Sequence, residues 1–427
     1  MKIVVHDFVG HPGQLQLSRE LARRGHTVEH QYCQSIATGR GATSRRQDDP
    51  VSFSIKAISL RGEFARYSPV RRVFQELKYG WLSTRAVLTS RPDVAIFANV
   101  PVLPLLIVVI ALRIRRIRYI FWWQDVYSEA VGTAARRRFK MIGGTIAWLV
   151  DRVEYTIARG AAAIVPITDA FVDRLRTWGI GCEKVRVIPN WGALDEVPSR
   201  PRINEWSTFH GLNDVTVVMY AGTLGLKHDP SLIAKLARNA PSDCRFVVVS
   251  EGKGRAWLEE NCRDIDNLIL MDYQPYEQLP DMLGSADVLL VLLEADASRF
   301  SVPSKILNYL CARRPVLALL PLENAAAHML RDAEAGIVVV PEEAAGATSA
   351  MFRLLSDPEL REQMAASGRQ YAERTFDIRT IGDNFEKVIR FAFGQGDLLE
   401  CDDEPDLTAE ITSKRNLTES MSGQDKK

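Results

Sequence analysis

The chain has 427 residues, 46% of them hydrophobic and 25% charged, with a formal net charge of +1. That length exceeds one ordinary core and implies two domains with additions, and the composition excludes a collagen-like or wholly disordered chain. The near-neutral total hides an asymmetry, because residues 1–160 hold 25 Lys+Arg against 12 Asp+Glu and the remainder is correspondingly acidic. A basic front half suggests an anionic partner such as a membrane surface, nucleic acid or a phosphorylated substrate. The six cysteines are scattered with no CxxC pair, which argues against a zinc site or disulfide framework and fits a reducing cytosol. "MKIVVHDFVG" sets an acid inside the first apolar run, so it is not read as a signal peptide.

In chain order, "KIVVHDFV" reads as a strand, Gly10, His11, Pro12 and Gly13 as a loop, "LQLSRELARRG" as an amphipathic helix and "HTVEHQYC" as a strand. Strand, glycine loop, helix and strand open a parallel, doubly wound sheet. "ARYSPVRRVFQELKYGWLSTRAVL" interleaves Arg66, Arg71, Arg72, Lys78 and Arg85 with Tyr67, Val73, Phe74, Leu77, Tyr79, Trp81 and Leu82. It reads either as a solvated arginine-rich face over a core helix or as a cationic helix lying on a membrane; "RIRRIRY" and "RRRFKMIGG" add cations beside apolar groups and favour the membrane. Val94 to Leu112 is 19 residues without a charge, about the length of a bilayer span. Asn99, Pro101 and Pro104 interrupt it, so it is read as a buried strand, "DVAIFANV", followed by a helix of only ~17 Å. "YIFWWQDV", "AAAIVPIT", a helix to Trp178 and "KVRVIPNW" continue the alternation.

A second series follows a polar stretch near Pro198–Asp214. Its strands read as "TVVMYAG", "CRFVVVSEG", "NLILMDY", "ADVLLVLL", "PVLALL" and "AGIVVV", with "DPSLIAKLARNA", Trp257, Leu279–Gly284 and "SVPSKILNYL" on helices between them. Asp357 to Phe393 reads as helices, and the acidic tail from Gly394 is expected to be disordered.

In open α/β sheets ligands sit beyond the carboxyl ends of the strands. That rule selects Gly13, then Gly222-Thr223-Leu224-Gly225 with Lys227 and His228, then Ser250, Glu251, Gly252 and Gly254, then Tyr273, Gln274 and Tyr276. It also selects the loop leading to Ser304-Lys305, where Pro303 reads as the first helical residue and a helix N-terminus beside a lysine suits a phosphate. The competing reading is a capped helix with a solvated lysine. Neither a Walker A sequence nor an intact GxGxxG is present, which disfavours ATP hydrolysis and nicotinamide binding. In "FWWQDVYSE" an apolar strand ends in Gln124-Asp125, with Asp125 either a helix N-cap or a group that orients or deprotonates an acceptor hydroxyl. His6, His11 and His26 read first as loop or capping residues, His11 being the best placed of the three for a cleft, and no DxD triplet or His cluster suggests a metal.

"KVRVIPNWGALDEV", "VMYAGTLGLKHDPSLI", "SEGKGRAWLEE", "LPDMLGSADVLLVLL" and "SVPSKILNYLCARRPVLAL" together resemble the GT-B-fold retaining glycosyltransferases of family four, of the bacterial surface-polysaccharide and exopolysaccharide type, over about residues 1–390. The resemblance implies an α/β GT-B fold, two Rossmann-like domains facing each other across a cleft. An acceptor-binding domain with basic membrane-facing helices would take 1–197, a nucleotide-sugar-binding domain 198–375, a helix crossing back to the first domain 376–393 and a disordered acidic tail 394–427. It implies a nucleotide-sugar donor, uridine-linked, held by Gly222, Thr223, Gly225, Lys227, Glu251, Tyr273, Gln274, Tyr276, Ser304, Lys305 and Asn308. A lipid-linked saccharide or polyprenyl-diphosphate acceptor would meet Gly13, His11, Gln124 and Asp125, with Asp125 also the catalytic candidate. No cofactor, no metal and no nucleic acid are implied, and the location would be cytoplasmic, peripheral on the inner face of the plasma membrane. Two departures stand out. The family's pair of glutamates eight positions apart falls on Phe300 and Asn308, leaving Ser304 and Lys305 as replacements, and its phosphate-binding arginine falls on Thr223, leaving Lys227 as the nearest cation. Those departures keep two rivals in view, an inverting GT-B transferase and a non-catalytic membrane-associated adaptor with a degenerate fold. A nucleotide-sugar epimerase is disfavoured by the missing GxGxxG and YxxxK.

Overall fold

The computed structural model describes residues 1–36, 40–60, 62, 68–225, 228–294 and 302–395. Its apolar runs form two six-stranded parallel sheets. The first contains β1 (Lys2–Asp7), β2 (Thr27–Cys33), β3 (Phe53–Ile58), β4 (Val94–Ala98), β5 (Arg118–Trp123) and β6 (Ala163–Pro166), in the order β3-β2-β1-β4-β5-β6. The second contains β7 (Thr216–Ala221), β8 (Cys244–Val249), β9 (Leu268–Met271), β10 (Val288–Leu292), β11 (Val316–Leu319) and β12 (Gly336–Val339), in the order β12-β11-β10-β7-β8-β9. Counted within its own half, the second order equals the first. This is the two-domain α/β arrangement of the GT-B fold. Helices cover both faces, so β4 and β10 are buried at every position, and that is why they read as unbroken apolar runs. In each sheet the strand order reverses beside the first strand, and the crevice that reversal opens lies at the carboxyl ends.

Two segments depart from the sequence expectation. β3, "FSIKAI", is an edge strand with two exposed and two half-buried positions and no apolar run to announce it. "KVRVIPNW" lies along β6 and donates from Arg186 to Ile164 and from Ile188 to Pro166, both at 3.0 Å, yet makes a single bridge rather than a strand. Pro166 has no N–H to return, so the ladder stops.

Residues 94–112 divide into β4 and a helix, Val102–Ile114, and among the described residues no helix is long and apolar enough to cross a membrane. Helix Pro69–Ser90 rests on Val102–Ile114 at Gly80, where a Cβ would lie 2.7 Å from Ile107 Cδ1, and Val102–Ile114 packs in turn on helix Gly143–Gly160. The outer side of this group exposes Phe74, Trp81, Ile114, Met141, Trp148 and Leu149 among arginines and lysines.

Helix Tyr127–Arg138 opens at Val126, so Asp125 is not its N-cap. Buried Glu154, from the neighbouring helix, takes the N–H groups of Tyr127 and Ser128 at 3.0 and 2.9 Å and the Trp123 indole N–H at 3.0 Å. Burial holds its carboxyl above the usual range against those three donors. Glu154→Ala strands them, and at ~1–3 kcal/mol per buried unsatisfied group the loss expected in chemical denaturation is about 3 kcal/mol or more. A loss under about 1 kcal/mol would show that the carboxylate is not what closes this helix.

Helix Ile378–Ala392 follows the second sheet and lies on the first domain. Ile381, Phe385, Val388 and Ile389 form its buried stripe, Phe385 meets Trp122 with ring centroids 4.8 Å apart, and Glu386 and Asp383 pair with His26 and Arg24, each at 2.6 Å.

Candidate functional site

A cleft of about 840 Å³ opens at the carboxyl ends of both sheets and is lined from both domains. On the second-domain wall β7 runs into Gly222, whose φ of 134° is open to glycine and strained for other residues. A Cβ there would stand 3.2 Å from Lys305 Cε. The Lys305 ammonium sits 3.7 Å from the centroid of the Tyr220 ring and donates to the Tyr220 hydroxyl, which donates to the Thr223 carbonyl at 2.9 Å. Burial pushes this ammonium down to about 7, and no acidic side chain among the described residues offsets it. Tyr309 ties the lysine's helix to the strand end, its hydroxyl accepting the Ala221 N–H at 3.0 Å and donating to the Ala221 carbonyl at 3.1 Å.

The helix bearing this lysine is Lys305–Cys311, so Pro303 lies ahead of it rather than in its first turn. A tighter turn comes first, with Ile306 and Leu307 donating back to Pro303 and Ser304 at 3.3 and 3.1 Å. Ser304 is exposed and Asn308 half-buried, and both line the cleft. Thr223 Oγ1 shares a 2.9 Å hydrogen bond with the Tyr273 hydroxyl, and Glu251 and Gln274 stand on the same wall. Tyr276 also lines the cleft, but its hydroxyl donates at 2.7 Å to Glu196, which pairs with Arg46 of the first domain. That phenol is committed to the connection between domains.

Gly225 stands off the cleft, giving its N–H to His228 at 3.1 Å. Gly252 and Gly254 make room for the neighbouring loop instead of a ligand, since a Cβ on either would lie 3.0 or 2.9 Å from the Leu224 carbonyl oxygen. Lys227, Phe300 and residues 396–427 of the tail lie outside the described residues.

The first-domain wall brings His11, Gly13, Gln124 and Asp125 together. Gly13 belongs to the first turn of helix Pro12–Arg23, where a Cβ would meet the Trp191 ring at 3.6 Å. Buried Gln124 accepts from Asn190 at 2.6 Å through its oxygen, while its amide nitrogen has no partner among the described residues. Asp125 is exposed. Beneath them lies Asp7, fully buried at the end of β1. Asp7 accepts the Gly10 N–H at 2.7 Å, the His11 N–H, the His11 imidazole Nδ1 with both oxygens at 3.0 Å, and the Asn99 amide at 3.2 Å. Burial alone would raise the Asp7 carboxyl, but the neighbouring imidazole outweighs it and holds it at about 2. For His11, burial works against the charged form, and Asp7 with a smaller contribution from Asp125 reverses that and lifts it above the ordinary histidine range.

Asp7, Asn99, Tyr220 and Tyr309 were not among the residues that the sequence marked. Two left a signal: the acid inside the first apolar run, and a tyrosine one residue before the pair Ala221-Gly222 that ends β7. Among the described residues no three His, Cys, Asp or Glu side chains gather as a metal set.

Two family sequence models match the chain, a glycosyl transferase 4-like domain over residues 11–191 and glycosyl transferases group 1 over residues 216–357. Together they span most of the chain and assign one module to each wall of the cleft. The chain belongs to the GT-B-fold glycosyltransferases. A relative from Streptomyces kanamyceticus, named alpha-D-kanosaminyltransferase, is 27% identical over 242 residues, 54% of this chain and 61% of that protein's length. Sucrose-phosphate synthase from Thermosynechococcus elongatus superposes with a TM-score of 0.69 at 15% identity, covering 92% of this glycosyltransferase and 99% of the other chain. Anabaena Alr3699/HepE in complex with UDP-glucose superposes with a TM-score of 0.67 at 14% identity, covering 91% and 99%. At such identities these two structures share the glycosyltransferase's fold.

Proposed function

We propose that this glycosyltransferase moves a sugar from a uridine-linked nucleotide-sugar to a lipid-linked saccharide or polyprenyl-diphosphate acceptor, in the assembly of a bacterial cell-surface polysaccharide. The observation that carries the donor half is Lys305, a half-buried lysine whose ammonium lies in the cleft with no acidic counter-charge among the described residues. A partly desolvated cation of that kind is satisfied by an anionic ligand, and a diphosphate supplies both charge and acceptor oxygens. Ser304 and Lys305 take the diphosphate; Asn308 and Tyr273 take ribose and base. The UDP-glucose bound to the Anabaena neighbour supports the uridine reading. Lysine charge replaces a metal ion in this scheme, and no cofactor enters it.

The acceptor half rests on the three-helix surface of the first domain, where exposed Trp81 and Trp148 stand beside clustered cations. In this reading the protein works on the inner face of the plasma membrane, where a lipid-borne acceptor is presented. Retention of anomeric configuration follows the family resemblance. An inverting transfer is the second reading, favoured by the imidazole–carboxylate pair on the acceptor wall, and the product anomer read by NMR decides between them.

The deciding experiment is a turnover screen of nucleotide-sugars, amino sugars included, against membrane lipid extracts, paired with thermal shifts in nucleoside diphosphates. UDP is expected to stabilise the protein; absence of stabilisation by every nucleoside diphosphate would favour the adaptor reading instead. Gly222→Ala is expected to raise the Kd for UDP by about tenfold, because strain at φ 134° and displacement of Lys305 cost together on the order of 1–2 kcal/mol. Calorimetry checks it, and an unchanged Kd would remove the strand end from the donor site.

A further inference from the structure

The first-domain wall carries a cation that donor binding does not use. Arg40, on the loop after β2, lines the cleft and makes no ion pair among the described residues. Its Nη2 donates to the carbonyls of Cys33 and Gln34 at 3.3 and 2.8 Å and to that of Ile36. Its Nε is buried without a partner among the described residues, and its Nη1 donates to none of them. Carbonyls hold the loop but carry no net charge, so the positive charge is left unbalanced beside the cleft.

Two amides on the same wall are also open. Gln14, in the first turn of helix Pro12–Arg23, is 6% exposed and Gln124 is 8% exposed, and both line the cleft. The Gln14 side chain makes no hydrogen bond among the described residues, and neither does the Gln124 amide nitrogen. Amides buried this far are ordinarily paired, so two open ones point to a ligand rich in acceptor oxygens. Gly41 gives its N–H to the Gly10 carbonyl at 2.9 Å, and a Cβ on Gly41 would stand 3.0 Å from Pro12 Cα. That close approach presses the Arg40 segment against the start of the helix that carries Gln14.

We propose that Arg40, together with Gln14, binds a phosphate of the acceptor, so that the enzyme selects acceptors whose anion lies close to the hydroxyl that receives the sugar. This rests on the transferase reading above. The donor diphosphate has its own cation, Lys305, on the opposite wall. A volume of about 840 Å³ lies toward the upper end of the roughly 300–1,000 Å³ of a small-ligand site, which leaves room for both anions at once. Charge balance favours the same division, since the positive excess of the chain is concentrated in residues 1–160 and therefore on the wall that bears Arg40.

The test saturates the full chain with UDP, so that the Lys305 site is filled, and titrates in inorganic pyrophosphate, which carries the acceptor's anion without its lipid. Calorimetry should show one further site. Arg40→Gln should weaken it by about tenfold or more and Arg40→Lys by less, with the Kd for UDP within about twofold in both. Gln14→Met keeps the buried volume, removes the polar atoms and leaves the Arg40 loop contacts in place; it should weaken pyrophosphate severalfold. Circular dichroism confirms that each variant is folded. With the acceptor that the turnover screen identifies, Arg40→Gln should raise the acceptor KM by a larger factor than it lowers kcat. Removing the phosphate from that acceptor should erase the difference between wild type and Arg40→Gln, whereas a mere loop clamp would affect both acceptors alike. A UDP-loaded wild type that binds no pyrophosphate, or whose pyrophosphate site Arg40→Gln leaves unchanged, overturns the inference and leaves the transferase reading standing. Full activity on an acceptor without any anionic group does the same. A wild type that binds no nucleoside diphosphate and turns over no donor overturns both.

Discussion

Replacing Lys305 with methionine should weaken UDP binding by roughly 30- to 100-fold, with the fold unchanged. Methionine keeps most of the apolar stem against the Tyr220 ring and removes the charge, so the loss reports the ammonium–phosphate interaction, on the order of 2–3 kcal/mol for a charged hydrogen bond in a buried site. The pH dependence follows with a definite sign. In the free protein the ammonium sits at about 7 because burial disfavours its charge, and a bound diphosphate raises it. Between pH 7 and the raised value, binding must take up a proton. Wild-type affinity should therefore fall by up to tenfold per pH unit above 7, and calorimetry in buffers of different ionisation heat should show close to one proton taken up near pH 8. Lys305→Met should show neither effect beyond the ligand's own titration. A wild type whose affinity is flat from pH 7 to 9 would place the diphosphate elsewhere.

The second large effect is expected at the membrane. Trp81→Glu with Trp148→Glu should reduce binding to vesicles containing about 30% anionic lipid by 100-fold or more. Each indole is 59% exposed, and burying a large apolar side chain is worth roughly 1.5–3 kcal/mol, a contribution the glutamates replace with repulsion from anionic headgroups. Wild-type binding should weaken in high salt, because Arg71, Lys78, Arg85 and the Arg136–Arg138 run act through screened charge. Flotation with circular dichroism as a control measures both. Undiminished binding of the double variant would move the acceptor's approach to another face.

The departures from the sequence expectation follow from where physical information resides. β10 and β4 were legible because a strand buried on both faces needs an unbroken apolar run, whereas edge strand β3 needs none. "KVRVIPNW" misled because its apolar pattern is that of a strand, while the residue that stops its ladder, Pro166, sits in a different segment. Asp125 as an N-cap was a fair local inference, but the capping carboxylate comes from Glu154, 26 positions away from Ser128. Glycines at strand ends are ambiguous in sequence for the same reason: Gly222 adjoins Lys305, whereas Gly252 and Gly254 adjoin Leu224.

The sequence by itself determined the two αβ series, the strand-end loops and the basic amphipathic surface, because periodicity and local chemistry are written in neighbouring residues. Only the tertiary structure decided that Lys305 is a half-buried lysine with its ammonium on a tyrosine ring, that Tyr276 serves the domain connection, and that Asp7 holds His11. Burial and partner identity are properties of contacts between distant segments, and a side chain's charge state is set by those contacts rather than by its place in the chain.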